Sequence, residues 1–116
     1  MDLYHVWFDL KPGASDLEVC DAVRSYLGAL REEGKIHGFR VTRRKLGLGP
    51  RELGEFHVTI ETEGLAQLDA AFVAVSARTN PIEGLHAEVN QRVRNLAFAL
   101  YRDFPDPQRK HGEERF

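Results

Sequence analysis

A single cysteine, Cys20, in 116 residues leaves the chain no intrachain disulfide and no multi-cysteine zinc site. Cys20 sits inside an amphipathic pattern, where a small buried hydrophobe is expected and a reactive thiol is not. Long apolar runs are missing as well, and none approaches the ~20 residues of a membrane-spanning helix. The N-terminus opens on strand-like sequence without a basic segment, an apolar stretch and a small-residue cleavage site, so a cytoplasmic protein is expected. Nor does one sign of charge prevail. Lys and Arg number 16 against 18 Asp and Glu, a net charge of −2, which argues against a general affinity for nucleic acid or an anionic membrane. Internal repeats and low-complexity tracts are lacking. What remains is an ordinary globular composition, 42% hydrophobic and 29% charged, and the length of one domain.

Periodicity then orders the chain. Tyr4 to Leu10 alternates, with Tyr4, Val6, Phe8 and Leu10 apolar on one side and His5, Trp7 and Asp9 on the other. Lys11-Pro12-Gly13 closes this first strand with turn chemistry. Ser15 and Glu18 have the spacing of a capping box, and Leu17, Cys20, Val23, Leu27 and Leu30 follow at helical steps, with Gly34 placed to end the helix. Ile36 to Lys45 reads as a second strand, with Phe39 and Val41 inward. Gly47 to Arg51 makes a hairpin loop. Glu55 to Thr62 forms a third strand, Phe56, Val58 and Ile60 alternating with His57, Thr59 and Glu61.

Leu65, Leu68, Phe72 and Val75 give a second helix. Asn80 as cap and Pro81 at the first position open a third, with Ile82, Leu85, Val89 and Val93 as its stripe. Leu96 to Arg102 is read as a final strand because Asn95 offers a break and Pro105 a stop. Residues 1–104 therefore form the domain, and 105–116 a polar, proline-bearing tail.

Strand, helix, two strands, two helices and strand is the split β-α-β order of an α+β ferredoxin-like fold. Right-handed crossovers put the helices on one face of a four-stranded antiparallel sheet, ordered 4-1-3-2. The helix face takes Val6, Phe8, Phe39, Val41, Phe56, Val58, Ile60, Phe98 and Leu100. The opposite face takes His5, Trp7, Asp9, Arg40, Thr42, His57, Thr59, Glu61, Ala97, Ala99 and Tyr101. A tryptophan flanked by alanines on such a face is a surface for something to pack on, and a second copy of the chain through a two-fold contact is the simplest occupant.

The element order, the opening Tyr4-His5-Val6-Trp7-Phe8-Asp9-Leu10 and the ending Phe98-Ala99-Leu100-Tyr101-Arg102-Asp103-Phe104-Pro105 resemble the dimeric α/β-barrel superfamily of ferredoxin-like proteins. The resemblance spans residues 1–104 and is nearest to small bacterial members with no assigned activity. It implies a homodimeric barrel. The superfamily includes antibiotic-type monooxygenases, haem-degrading enzymes and lactone isomerases, and the fold does not choose among them.

His5 and His57 share a facing on adjacent strands, where opposite side chains have Cβ atoms about 5 Å apart. They are the candidate proton carriers, with Asp9 to orient them and Trp7, Thr59, Tyr101 and Arg40 as the candidate ligand-binding residues. No metal site or cofactor is expected. His86 on the third helix lacks any haem-binding motif around it and is read as a boundary residue; His37 and His111 are unremarkable. The loop carrying Arg43, Arg44, Lys45 and Arg51 opens no helix, so a solvated hairpin is expected and a phosphate site is not. Three classes stay open. One is small-molecule binding with cofactor-independent monooxygenase- or isomerase-like chemistry, and one is a non-catalytic interaction or ligand-sensing dimer. The third is single-stranded RNA binding through the sheet face, disfavoured by Asp9, Glu61 and the poor match of Leu53-Gly54-Glu55-Phe56 to a glycine–aromatic signature.

Overall fold

A computed structural model describes residues 1–108; the end of the expected tail, 109–116 with His111, lies outside the described residues. The elements follow in the order β1 (Asp2–Leu10), α1 (Asp16–Glu32), β2 (Gly38–Arg43), β3 (Phe56–Thr62), α2 (Leu65–Ser76), α3 (Ile82–Asn90) and β4 (Val93–Arg102). The four strands make one antiparallel sheet in the order β2-β3-β1-β4. This is the expected α+β ferredoxin-like arrangement, with β1 and β3 in the middle. Among the described residues no helix is long and apolar enough to cross a membrane.

The core lies between sheet and helices. Phe8, Phe56 and Val58 from the central strands meet Val19, Val23, Leu27 and Leu30 of α1, with Ile36, Ala71, Ile82 and Val93 around them. Ser15 caps α1 by accepting a hydrogen bond from the Glu18 backbone N–H at 3.4 Å. The helix ends on Gly34 at φ 72°, where Lys35 N–H reaches Leu30 C=O and Gly34 N–H reaches Arg31 C=O. A left-handed residue closing two such bonds is the Schellman ending, and glycine takes that conformation at little cost.

Four details depart from the sequence reading. Leu17 is 74% exposed and Cys20 half-buried, because the buried stripe of α1 runs through Val19, Val23, Leu27 and Leu30. At about 100° per residue, Leu17 sits ~120° away from the centre of that stripe. The third helix starts one residue late, at Ile82. Asn80 makes no side-chain cap, and the Thr79 carbonyl accepts from Glu83 N–H in its place. Val93 belongs to β4 and not to the helix stripe; it is buried opposite Leu10. Asn95 does not precede β4 but forms a bulge inside it. Trp7 pairs with Ala97 while Asp9 pairs with Arg94, so Asn95 and Leu96 together stand opposite Phe8, and Asn95 takes φ 55°. Asparagine tolerates the left-handed conformation that such a bulge demands better than most residues.

Phe98 and Leu100 face the helix side, opposite Val6 and Tyr4, yet they stay 58% and 52% exposed. The helix layer stops short of the β4 edge: Phe72 of α2 reaches Tyr4 on β1, ring centroids 5.4 Å apart, and Tyr4 stacks on Phe98 from below at 6.0 Å. At the far end of β1, the buried Asp2 carboxylate receives a two-pronged contact from Arg102, which holds its carboxyl below the usual carboxylate range against the opposing effect of burial. The hairpin between β2 and β3 is tied by Arg44, whose guanidinium donates to the carbonyls of Pro50 and Leu53 at 2.8 and 2.9 Å, while Arg43 pairs with Asp16 and Glu55. Arg43 and Arg44 are thus spent on the protein's own oxygens.

Two outcomes follow from the packing. Leu27→Ala is expected to cost about 2–5 kcal/mol in urea unfolding, and Leu17→Ala no more than ~0.5 kcal/mol. Gly54 lies against the backbone of Phe8, where an added Cβ would come 2.3 Å from the carbonyl carbon. Gly54→Ala is therefore expected to push β3 off β1 and lower stability by about 1–3 kcal/mol in the same measurement.

Candidate functional site

The sheet face opposite the helices is where the two central strands present their polar and aromatic side chains. In the β1–β3 register Trp7 stands opposite His57 and His5 opposite Thr59. The two histidines are therefore diagonal neighbours and not a facing pair. Imidazoles are long enough to bridge that diagonal, and His5 Nδ1 lies 2.8 Å from His57 Nε2. Trp7, being directly opposite, lies flat on His57 with centroids 4.6 Å apart and planes within 4°. Tyr101, which pairs with Leu3 on β4, meets His5 edge-on at 5.2 Å.

The direct N···N contact has a chemical consequence. One imidazole must donate and the other accept, so a bonded pair holds one proton between the two nitrogens. Thr59 Oγ1 is 3.4 Å from the same His57 Nε2, a long approach for a hydroxyl. Burial pushes both imidazoles below their ordinary pKa, and for His57 the neighbouring charge of His5 adds to the effect. At neutral pH the pair is uncharged. In this state it can take a proton from a substrate at one outer nitrogen and release one at the other, which is what general acid–base catalysis requires.

Of the residues expected here, the structure brings His5, His57, Trp7, Thr59 and Tyr101 together. It does not bring Asp9. Its carboxylate accepts from the Glu55 backbone N–H at 2.9 Å and from the Asn95 amide at 3.1 Å, and these bonds hold its pKa below the usual carboxylate value. Asp9 therefore secures the β3 entry and the β4 bulge and orients neither histidine. Arg40 is exposed on β2, opposite Thr59, at the border of the cluster. His86 is half-buried beside Tyr26, ring centroids 5.3 Å apart, and burial pushes the Tyr26 phenol up to about 12. His37 is an exposed partner of Glu63 at 3.7 Å. Among the described residues no group of three or more His, Cys, Asp or Glu is placed to hold a metal ion.

The diagonal contact was hidden from sequence reasoning because it depends on one register, and a parity argument gives only the shared face. The diversion of Asp9 was hidden for a related reason. Asn95 signals a left-handed residue, but not that its side chain turns back to β1.

Comparison with solved structures places the fold. It is similar to the Arabidopsis thaliana protein At3g17210, with a TM-score of 0.69 and 9% identity over 89% of this chain and 95% of that one. It is also similar to a dimeric ferredoxin-like protein of unknown function from Jannaschia sp. CCS1, TM-score 0.64 and 15% identity over 89% and 100% of the two chains. An antibiotic biosynthesis monooxygenase matches with a TM-score of 0.59 and 19% identity over 90% and 100%. At these identities the likeness shows the fold. No curated protein matches the sequence. One family model does, over residues 1–116: a family of unknown function, DUF6614.

The site yields its own test. In an NMR titration both His5 and His57 are expected to titrate below the ordinary value of 6.5. Asp9→Asn should leave both titrations in place while costing about 1 kcal/mol of stability through its weakened bonds. A displacement of either imidazole midpoint in that variant would restore the orienting role to Asp9.

Proposed function

Since the chain belongs to the DUF6614 family, whose function is unknown, its own residues must indicate its activity, and we propose a homodimer that binds a small organic molecule and moves protons on it with the His5–His57 pair. The observation that carries this reading is the 2.8 Å contact between the two imidazoles on a sheet face that, among the described residues, no element covers. Half-buried imidazoles bonded to one another, under an indole and beside a phenol, form a proton-transfer group in an aromatic setting suited to flat ligands.

The dimer is supported by the surface itself. Trp7, Ala97 and Ala99 make an apolar centre within a polar rim, the layout of a contact between two copies. Similar folds described as dimeric, among them the Jannaschia protein, add to it. Isomerisation of an enolisable ligand needs only a proton removed at one carbon and returned at another. In a cofactor-independent monooxygenation the same base would deprotonate the substrate. The substrate would then reduce dioxygen, losing two hydrogens as one oxygen atom enters it and the other leaves as water.

A non-catalytic ligand-sensing dimer is the second reading, and the diverted Asp9 favours it, because among the described residues no carboxylate bonds either imidazole. Sedimentation equilibrium at micromolar concentration is expected to give a dimer with Trp7 shielded from iodide. An NMR screen with small phenols, lactones and β-diketones is expected to find ligands that His5→Ala and His57→Ala each weaken at least tenfold. Deuterium uptake from solvent into a bound β-diketone separates catalysis from sensing. A compact monomer, or ligand affinity untouched by both substitutions, would remove the proposal.

A further inference from the structure

We propose that the His5–His57 pair is also a proton-operated release for self-association, so that the two copies hold together when the imidazoles share one proton and part when both are charged. The inference rests on the dimer reading given above and adds to it a condition under which the dimer opens.

The geometry carries it. The pair lies at the centre of the face, between Trp7 stacked at 4.6 Å and Tyr101 edge-on at 5.2 Å, and its members bond to each other with no carboxylate between them. From the neutral pair, two added protons charge both partners. Two imidazolium rings are donors only, so the N···N bond is lost, and two like charges stand with ring centroids 5.0 Å apart. A two-fold axis through the same face sets this pair against its own copy, so each dimer contains two pairs.

The surrounding charges do not absorb the change. On β1 the facing group is Asp9, which is committed to Glu55 N–H and Asn95; on β4 they are Arg94, opposite Asp9, and the Tyr101 phenol. On β3 the facing group is Glu61, and on β2 it is Arg40, opposite Thr59. Arg40, Arg94 and Arg44, whose charge also reaches Asp9, outnumber the two carboxylates on this face. Protonation of the imidazole pair makes each copy more positive where it meets the other. The sign agrees with the effect of burial. Burial within one chain already holds both imidazoles below 6.5, and covering the face lowers them further, so the dimer's stability is full above their uncovered values and is lost as pH falls through them.

The full-length chain is followed by sedimentation equilibrium at pH 7.5 and pH 5.0, or at the lowest pH where far-UV circular dichroism is unchanged. Trp7, the only tryptophan, reports the stacked ring through its fluorescence. If covering the face depresses one proton per pair by one pKa unit, two pairs weaken the dimer about 100-fold on acidification. Trp7 emission should be quenched over the same range as an imidazolium forms against the indole. The H5Q/H57Q variant keeps amide donors and acceptors and removes the titration, and its dissociation constant is expected to move less than threefold. A wild-type dimer equally tight at both pH values overturns the inference and leaves the dimer standing. Equal weakening of wild type and variant also overturns it, placing the pH response on other groups. A monomer at pH 7.5 overturns the dimer reading itself.

Discussion

The alignment of β1 on β3 is the constraint on which the rest of this molecule depends. With Val6 opposite Val58 and Phe8 opposite Phe56, the apolar members of both strands fall under the helices, and His5, Trp7, His57 and Thr59 fall together on the other side. A slip of one residue would invert the faces, driving a tryptophan and an imidazole into the core and three large apolar residues into the open. Each buried side chain among Phe8, Phe56 and Val58 is worth about 1.5–3 kcal/mol against exposure, so the register is held far more strongly than the imidazole contact could hold it. The site is a by-product of a register that the core enforces. Gly54 permits it, since only a residue without Cβ lets the incoming β3 chain pass the Phe8 backbone.

The periodicity of the chain was enough to give the order of elements, the sheet order and the division of strand residues between faces. Strand alternation is a local property, and Tyr4 to Leu10 or Phe56 to Thr62 display it without help from the rest of the chain. Failures came where a choice is settled between elements. Leu17 and Val19 are both apolar, and which one is buried is decided by how α1 rolls on the sheet. Val93 fits a helical stripe as well as it fits the start of β4. Alternation places Phe98 and Leu100 on the helix face, but their exposure depends on how far α2 and α3 reach, and a strand pattern carries no information on that.

The candidate site was legible in the same partial way. Shared facing puts His5 and His57 on one side of adjacent strands, and they meet across a diagonal that the twist of the strand pair closes. Trp7 occupies the directly opposite position and becomes the lid of His57. Asp9 shows the limit of parity. It has the right face and the wrong neighbours, because the β4 bulge turns the Asn95 amide toward it and the hairpin delivers the Glu55 N–H. Two well-placed donors hold a carboxylate more firmly than one imidazole would.

That diversion determines the character of the pair. A carboxylate bonded to an imidazole stabilises the imidazolium and raises its pKa, as in triads that work through a charged histidine. Here Asp9 is engaged elsewhere, burial lowers both histidines, and each imidazole has the other as its close partner. Neutrality is thus built in by what Asp9 does at the far end of the strand. A neutral pair is the form that can lie against an apolar surface without a large desolvation cost, and it is also the form with both an empty acceptor and a mobile proton. The same pairing therefore suits a dry seam and proton transfer alike, since covering the face preserves the protonation state that each of them needs.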